Sequence, residues 1–246
     1  MSTQPAPPRL SVVVPVFDEE DSLEPLHREL DAALSHLPGG LEILLVDDGS
    51  RDGSREVMRR LARKDPRVRP IALDGNHKQS AALAAGFELA RGEIIVTLDA
   101  DLQNDPADIP RMIEHLAEAD VVNGVRQDRQ DGWVRRMSSR IANGFRNRMT
   151  GESVTDVGCT LRVMRAEHAR RVKMFRGMHR FLPTLLRLEG ARIMEVPVAH
   201  RPRRYGASKY GIGNRLFVGL VDVFVVRWMQ RRHEAWAARE LPPAEG

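Results

Sequence analysis

The segment TLDADLQNDP, Thr97 to Pro106, leaves an apolar run and sets two carboxylates, Asp99 and Asp101, and an amide, Gln103, on alternate positions. Alternate residues share one side of an extended chain, so all three can turn into a single cleft beyond a strand end. Two carboxylates and an amide form a partial, oxygen-only shell. Such a shell suits Mg2+ or Mn2+, with the remaining positions left to water and to the phosphate oxygens of a substrate. The competing reading is structural: one Asp caps the helix that opens at Pro106, and the other is solvated.

Elements that place these side chains are legible on either side. LSVVVPVF, LEILLVDD, VRPIAL, EIIVTLD and ADVVNGV read as buried strands. Between them lie segments of helical period: EDSLEPLHRELDAALSHL, with Leu23, Leu26, Leu30, Ala33, Leu34 and Leu37 on one face, then GSREVMRRLARK, KQSAALAAGFELA and PADIPRMIEHLAE. Strands alternating with helices predict βαβ units, hence an α/β chain with a mostly parallel central sheet flanked by helices. Ligands of such sheets bind beyond the carboxyl ends of the strands. Three polar clusters fall there: Asp18-Glu19-Glu20, Asp47-Asp48 and Asp99/Asp101/Gln103. The second half is less regular, with a basic helical stretch at about 133–149, a turn and strand near DVGCTLRVM, a helix around MHRFLPTLLRLEG, a strand ARIMEVPVA, a basic loop and an apolar helix.

Composition narrows the function classes. A chain of 246 residues can bury a sizeable core without cross-links. Its single cysteine, Cys159, excludes an intramolecular disulfide and a cysteine-based zinc site, and fits a reducing compartment. The leading residues lack the pattern of a signal peptide. Residues 1–125 hold 13 basic and 23 acidic side chains, and residues 126–246 hold 25 and 11. That asymmetry points to a polyanionic partner: nucleic acid, a membrane surface or phosphates. Nucleic acid is disfavoured by the absence of a recognisable module, the few aromatics and the acidic first half.

Taken together, VVVPVFDEE, LLVDDGSRDGS, GNHKQSAALAAGFELARGEIIVTLDADLQ, GMHRFLPTLL and RPRRYGASKYG resemble the family 2 glycosyltransferases, and within them the polyprenol-phosphate sugar transferases of the dolichol-phosphate mannosyltransferase type. The resemblance covers about residues 10–230. It implies the GT-A fold, a nucleotide-diphospho-sugar donor, Mg2+ or Mn2+, and an inverting single displacement onto a polyprenyl phosphate.

Carried across by residue, the resemblance places Pro15, Phe17 and Glu19 or Glu20 around the nucleotide, with Asp47 and Asp48. Asn76, Lys78 and Gln79 match the donor-side turn, and Asp99, Asp101 and Gln103 the metal and diphosphate element. Arg126, Arg135 and Ser139 match the acceptor-phosphate pocket, with Arg136 as the alternative to Arg135. Arg204, Ser208 and Lys209 match a donor-diphosphate loop, while Arg201 and Arg203 read as outer charges. Asp156 stands where related enzymes keep a carboxylate near the acceptor; the alternative is a structural turn residue. A phosphate monoester, with a second pKa of about 6, is largely ionised at neutral pH and needs no general base. A hydroxyl acceptor would need one, and Asp156 is then the candidate.

Many relatives end in a pair of transmembrane helices. Here the longest apolar run, LFVGLVDVFVV at 216–226, holds Asp222 and is too short to span. Flanked by Arg215, Arg227, Trp228, Arg231 and Arg232, it reads as an interfacial helix, against the alternative of a helix packed on the domain or on a second subunit. The expected organisation is a disordered lead at 1–9, a catalytic domain at 10–210, an interfacial helix at 211–232 and a flexible tail at 233–246. The expected location is cytoplasmic, peripheral to the membrane. A homo-oligomer or a membrane partner protein is compatible with this reading.

Overall fold

The computed structural model describes residues 8–127, 144–152, 154–203 and 213–234, with backbone alone over 213–220. Seven strands form one sheet in the order β3-β2-β1-β4-β6-β5-β7. They are β1 (Leu10–Val16), β2 (Leu41–Asp47), β3 (Val68–Ala72), β4 (Ile94–Thr97), β5 (Val121–Arg126), β6 (Arg162–Arg165) and β7 (Ile193–Val198). β6 alone runs against both its neighbours, β4 and β5. The other pairs are parallel, so β1, β2, β4 and β5 deliver their carboxyl ends to one edge.

Alternation along the strands supplies two cores. Val12, Val14 and Val16 of β1 and Ile43 and Leu45 of β2 pack with Leu23, Leu26, Leu30 and Leu34 of α1 (Glu20–Leu34), Met58 and Leu61 of α2 (Ser54–Lys64) and Met112 of α4 (Ile109–Glu114). On the other face, Val13, Leu44 and Val46 meet Leu83 and Phe87 of α3 (Gln79–Leu89), Ala169 of α5 (Ala166–Arg171) and Leu182 and Leu186 of α6 (Leu182–Leu188). Sheets covered on both faces need continuous apolar strands, which is why residues 12–16 of β1 and 43–46 of β2 read as apolar runs. Gly86 lets α3 ride close to β1: a Cβ there would lie 2.2 Å from Val13 Cγ1.

The second half adds one short helix to the expected elements. The run DVGCTLRVM makes the expected turn and strand: Arg162–Met164 enters the sheet in β6, which ends at Arg165, and the residues before it form the turn that carries Asp156. The six-residue α5, which follows β6 directly, has too short a period to stand out in sequence. The final helix, α7 (Gly213–Arg232), is longer than its apolar run. Val223 and Val226 pack it against Met178, Phe181 and Leu185. Among the described residues no helix is long and apolar enough to cross a membrane.

Candidate active site

The loops after β1 and β2 are stitched to each other. Asp18 N donates to Ser50 Oγ at 2.9 Å, Arg51 N to Asp18 Oδ1 at 2.7 Å, and Glu19 N to Ser54 Oγ at 2.8 Å. The Arg51 guanidinium lies over the Phe17 ring, 5.4 Å from its centre. Three non-glycine residues with positive φ sit at these strand ends: Asp18 at 51°, Lys78 at 73° and Leu102 at 61°. Such backbone is costly and clusters where side chains must be aimed.

A cleft of about 190 Å³ opens over these ends. It brings together nine of the residues named from sequence: Pro15, Phe17, Glu19, Asp48, Asn76, Lys78, Gln79, Asp99 and Asp101. Asp48 is buried; its Oδ1 accepts His77 N at 2.6 Å, and its carbonyl accepts Asn76 Nδ2 at 2.9 Å. Burial raises the Asp48 carboxyl above the usual range. Asp99 Oδ1 accepts Gln79 Nε2 at 2.7 Å. Burial first, and the Asp101 charge second, push Asp99 up to about 7. Asp101 uses Oδ1 to accept Gln103 N at 3.2 Å and Oδ2 to accept Arg203 Nη2 at 2.7 Å.

The two carboxylates fit a divalent cation as a partial shell. The Asp101 charge that raises the proton affinity of Asp99 would be offset by a cation as well as by a proton. Among the described residues no group of three Asp, Glu, His or Cys side chains could hold a metal unaided. Water and a diphosphate would have to complete the shell, as hard cations allow.

Other residues named from sequence take different places. Asp47 is fully buried, and its carboxylate is taken up by Gly49 N, Ser50 N and Arg55 Nε, the last at 2.6 Å. It shapes the turn and does not line the cleft. Glu20 likewise accepts Gly53 N at 2.9 Å and ties the two loops together. Gln103 sends its amide to the Arg201 carbonyl at 3.4 Å and is absent from the cleft lining. Arg203, read as an outer charge, lines the cleft. Arg201 is the outer one, bound to Glu29 and Asp105. Its difference from Arg203, two residues on, had no local signal.

On the β5 side, Arg126 and Asp156 form a two-bond pair, with Arg126 N also donating to Asp156 Oδ2 at 3.2 Å. Beneath lies Arg162, buried, donating to Asn123 Oδ1 at 2.8 Å and to the Val157 carbonyl at 3.0 Å. Burial lowers the Arg162 guanidinium below its ordinary value. Arg162 escaped the sequence reading because nothing local marks an arginine as buried. Arg135, Arg136, Ser139, Arg204, Ser208 and Lys209 lie outside the described residues.

In sheet order β1 and β4 are neighbours, and the acidic cleft opens over the carboxyl ends of the strands, where open α/β sheets bind ligands. Residues 11–173 match the model of Glycosyl transferase family 2, and the chain belongs to that family. It is 43% identical over 205 residues to the undecaprenyl-phosphate 4-deoxy-4-formamido-L-arabinose transferase of Edwardsiella ictaluri, covering 82% of this chain and 63% of that one. It is 41% identical over 228 residues to the dodecaprenyl-phosphate galacturonate synthase of Rhizobium johnstonii, covering 90% and 67%. The chain thus spans about two thirds of the length of these relatives. Glucosyl-3-phosphoglycerate synthase from Mycobacterium tuberculosis, solved with Mn2+ and UDP-glucose, superposes with a TM-score of 0.64 at 18% identity, covering 90% of this chain and 79% of that one. That likeness establishes the shared GT-A fold.

Proposed function

We propose that this chain is an inverting glycosyltransferase that moves a hexose-type sugar from a UDP- or GDP-sugar to a polyprenyl phosphate, with Mg2+ or Mn2+ held by Asp99 and Asp101. The carrying observation is that these two carboxylates share one cleft with Glu19, Asp48, Asn76 and Lys78. Asp48, Asn76 and Lys78 bind the nucleotide, and Asp99 and Asp101 face its diphosphate. The cation, when bound, offsets the charge that develops on the departing diphosphate. Arg126, with Arg135 and Ser139, takes the acceptor phosphate and aligns its oxygen with the anomeric carbon.

The pairing of Asp156 favours this acceptor over a hydroxyl. Its two carboxylate oxygens accept from Arg126 and from Gly158 N, so it is engaged as the partner of a cation and not poised as a base. An ionised phosphate needs no base. The names of the relatives, both transferases or synthases of polyprenyl-phosphate sugars, agree with that choice.

Helix α7 supports a peripheral membrane contact. One face packs on the domain, while Val221, Phe224, Val225 and Trp228 form an exposed stripe, Phe224 at 57% and Trp228 at 62%. Arg227, Arg231 and Arg232 adjoin it, the arrangement of an interfacial helix. The test is a screen of UDP- and GDP-sugars with a short polyprenyl phosphate and either metal. A sugar-phosphate lipid formed from one donor is expected. Transfer confined to soluble hydroxyl acceptors would overturn the reading.

A further inference from the structure

Arg203 is paired with one of the two carboxylates assigned above to a metal. Asp101 is 6% exposed and has two oxygens to offer. Oδ1 is used within its own turn by Gln103 N, and Oδ2 is held by Arg203 Nη2 at 2.7 Å. The same guanidinium lies 3.8 Å from Glu19 Oε1, on the nucleotide side of the cleft. A divalent cation and a guanidinium compete for the negative charge of one carboxylate and repel each other there, so a metal reaching Oδ2 works against the Arg203 contact.

The chain that enters Arg203 is anchored to the turn that carries Asp101. Asn104 and His200 form a backbone bridge, and Arg201 N donates to the Gln103 carbonyl at 2.8 Å. Arg201 itself is fastened to Glu29 and Asp105, both outside the cleft lining. The backbone entering residue 203 is therefore clamped to the turn that carries Asp101. The Arg203 side chain keeps 28% of its surface exposed and has rotamer freedom to move.

We propose that Arg203 is a placeholder cation: it neutralises Asp101 in the donor-free protein, and yields that position to the metal when a nucleotide diphosphate supplies it with another anionic partner. The inference rests on the function proposed above and adds a coupling to it. A metal arriving alone weakens the Arg203–Asp101 contact and gives Arg203 no other anion in exchange. A metal arriving with a diphosphate leaves Arg203 beside phosphate oxygens, to which a guanidinium binds well. Metal and donor then favour each other's binding, and by linkage the effect is equal in both directions.

The test titrates Mn2+ into the nucleotide-free protein and reads free Mn2+ by electron paramagnetic resonance, for wild type, Arg203→Gln and Arg203→Lys. Removing one charge-assisted contact from the competitor predicts roughly tenfold tighter Mn2+ binding by R203Q. R203K, which keeps the charge, stays nearer to wild type. Adding UDP or GDP tightens Mn2+ binding more in wild type than in R203Q. Equal Mn2+ affinity in wild type and R203Q, or weaker binding by R203Q, overturns the placeholder while leaving the metal site standing. Absence of Mn2+ binding in all three, with and without nucleotide, overturns both.

Discussion

Arg126 and Asp156 face each other through two parallel bonds, Nε to Oδ2 at 2.7 Å and Nη2 to Oδ1 at 2.8 Å, with Asp156 buried. The pair orients a guanidinium at the end of β5, the group that the proposed function assigns to the acceptor phosphate, and on that reading Asp156 acts through Arg126.

Arg126→Lys keeps the charge and loses the fork that meets Asp156 and a phosphate together. Use of lipid phosphate should fall by roughly 1.5–3 kcal/mol, about 10- to 100-fold, with nucleotide affinity unchanged. Asp156→Asn should show the same split, since it frees Arg126 from its alignment. Calorimetry with the nucleotide separates the two sides of the cleft. Equal losses of nucleotide affinity and turnover would place Arg126 with the donor.

Asp99 gives a pH signature. Its folded pKa of about 7 is raised above the ordinary carboxyl value of 3.8, so the metal-free fold favours the protonated form. The stability this group contributes is fully present below pH 4 and is lost as pH rises through 7. Metal-free Asp99→Asn should therefore melt above wild type at pH 8, by up to about 4 kcal/mol and less where water reaches the half-buried carboxyl, with the gap closing toward pH 4. Mn2+ binding by wild type should weaken below pH 7, where a proton competes. A stability gap independent of pH would contradict this.

Much of the scaffold was readable because its signals are local. Apolar strand runs, the Leu23-Leu26-Leu30-Leu34 face and the alternate placement of Asp99 and Asp101 all lie within one or two turns of chain. What escaped depends on partners distant in sequence. Asp47 and Asp48 are adjacent and equally acidic, yet Arg55 claims one while the cleft receives the other. Arg201 and Arg203 differ because Glu29 and Asp105 meet the first and Asp101 the second. The Arg126–Asp156 pairing spans 30 residues and joins a strand end to a turn, a contact that no local pattern announces.

The two faces of α7 should respond differently to substitution. Phe224→Ser and Trp228→Ser alter exposed side chains, so the fold should persist while association with anionic vesicles falls and becomes undetectable at high salt. Val226→Ser removes a buried side chain from contact with Met178 and Phe181 and should cost about 1.5–3 kcal/mol of stability by urea unfolding. Vesicle binding unaffected by loss of both aromatics would assign the stripe to another partner.

The most direct test of the central claim is transfer of radiolabelled sugar from the accepted nucleotide donor to a short polyprenyl phosphate, measured against Mn2+ concentration for wild type and Asp101→Asn. The site geometry predicts a metal-dependent sugar-phosphate lipid with wild type, no product in excess chelator, and loss of turnover in D101N with folding intact. Full activity of D101N, or of wild type in excess chelator, would contradict a metal-assisted transfer at Asp99 and Asp101.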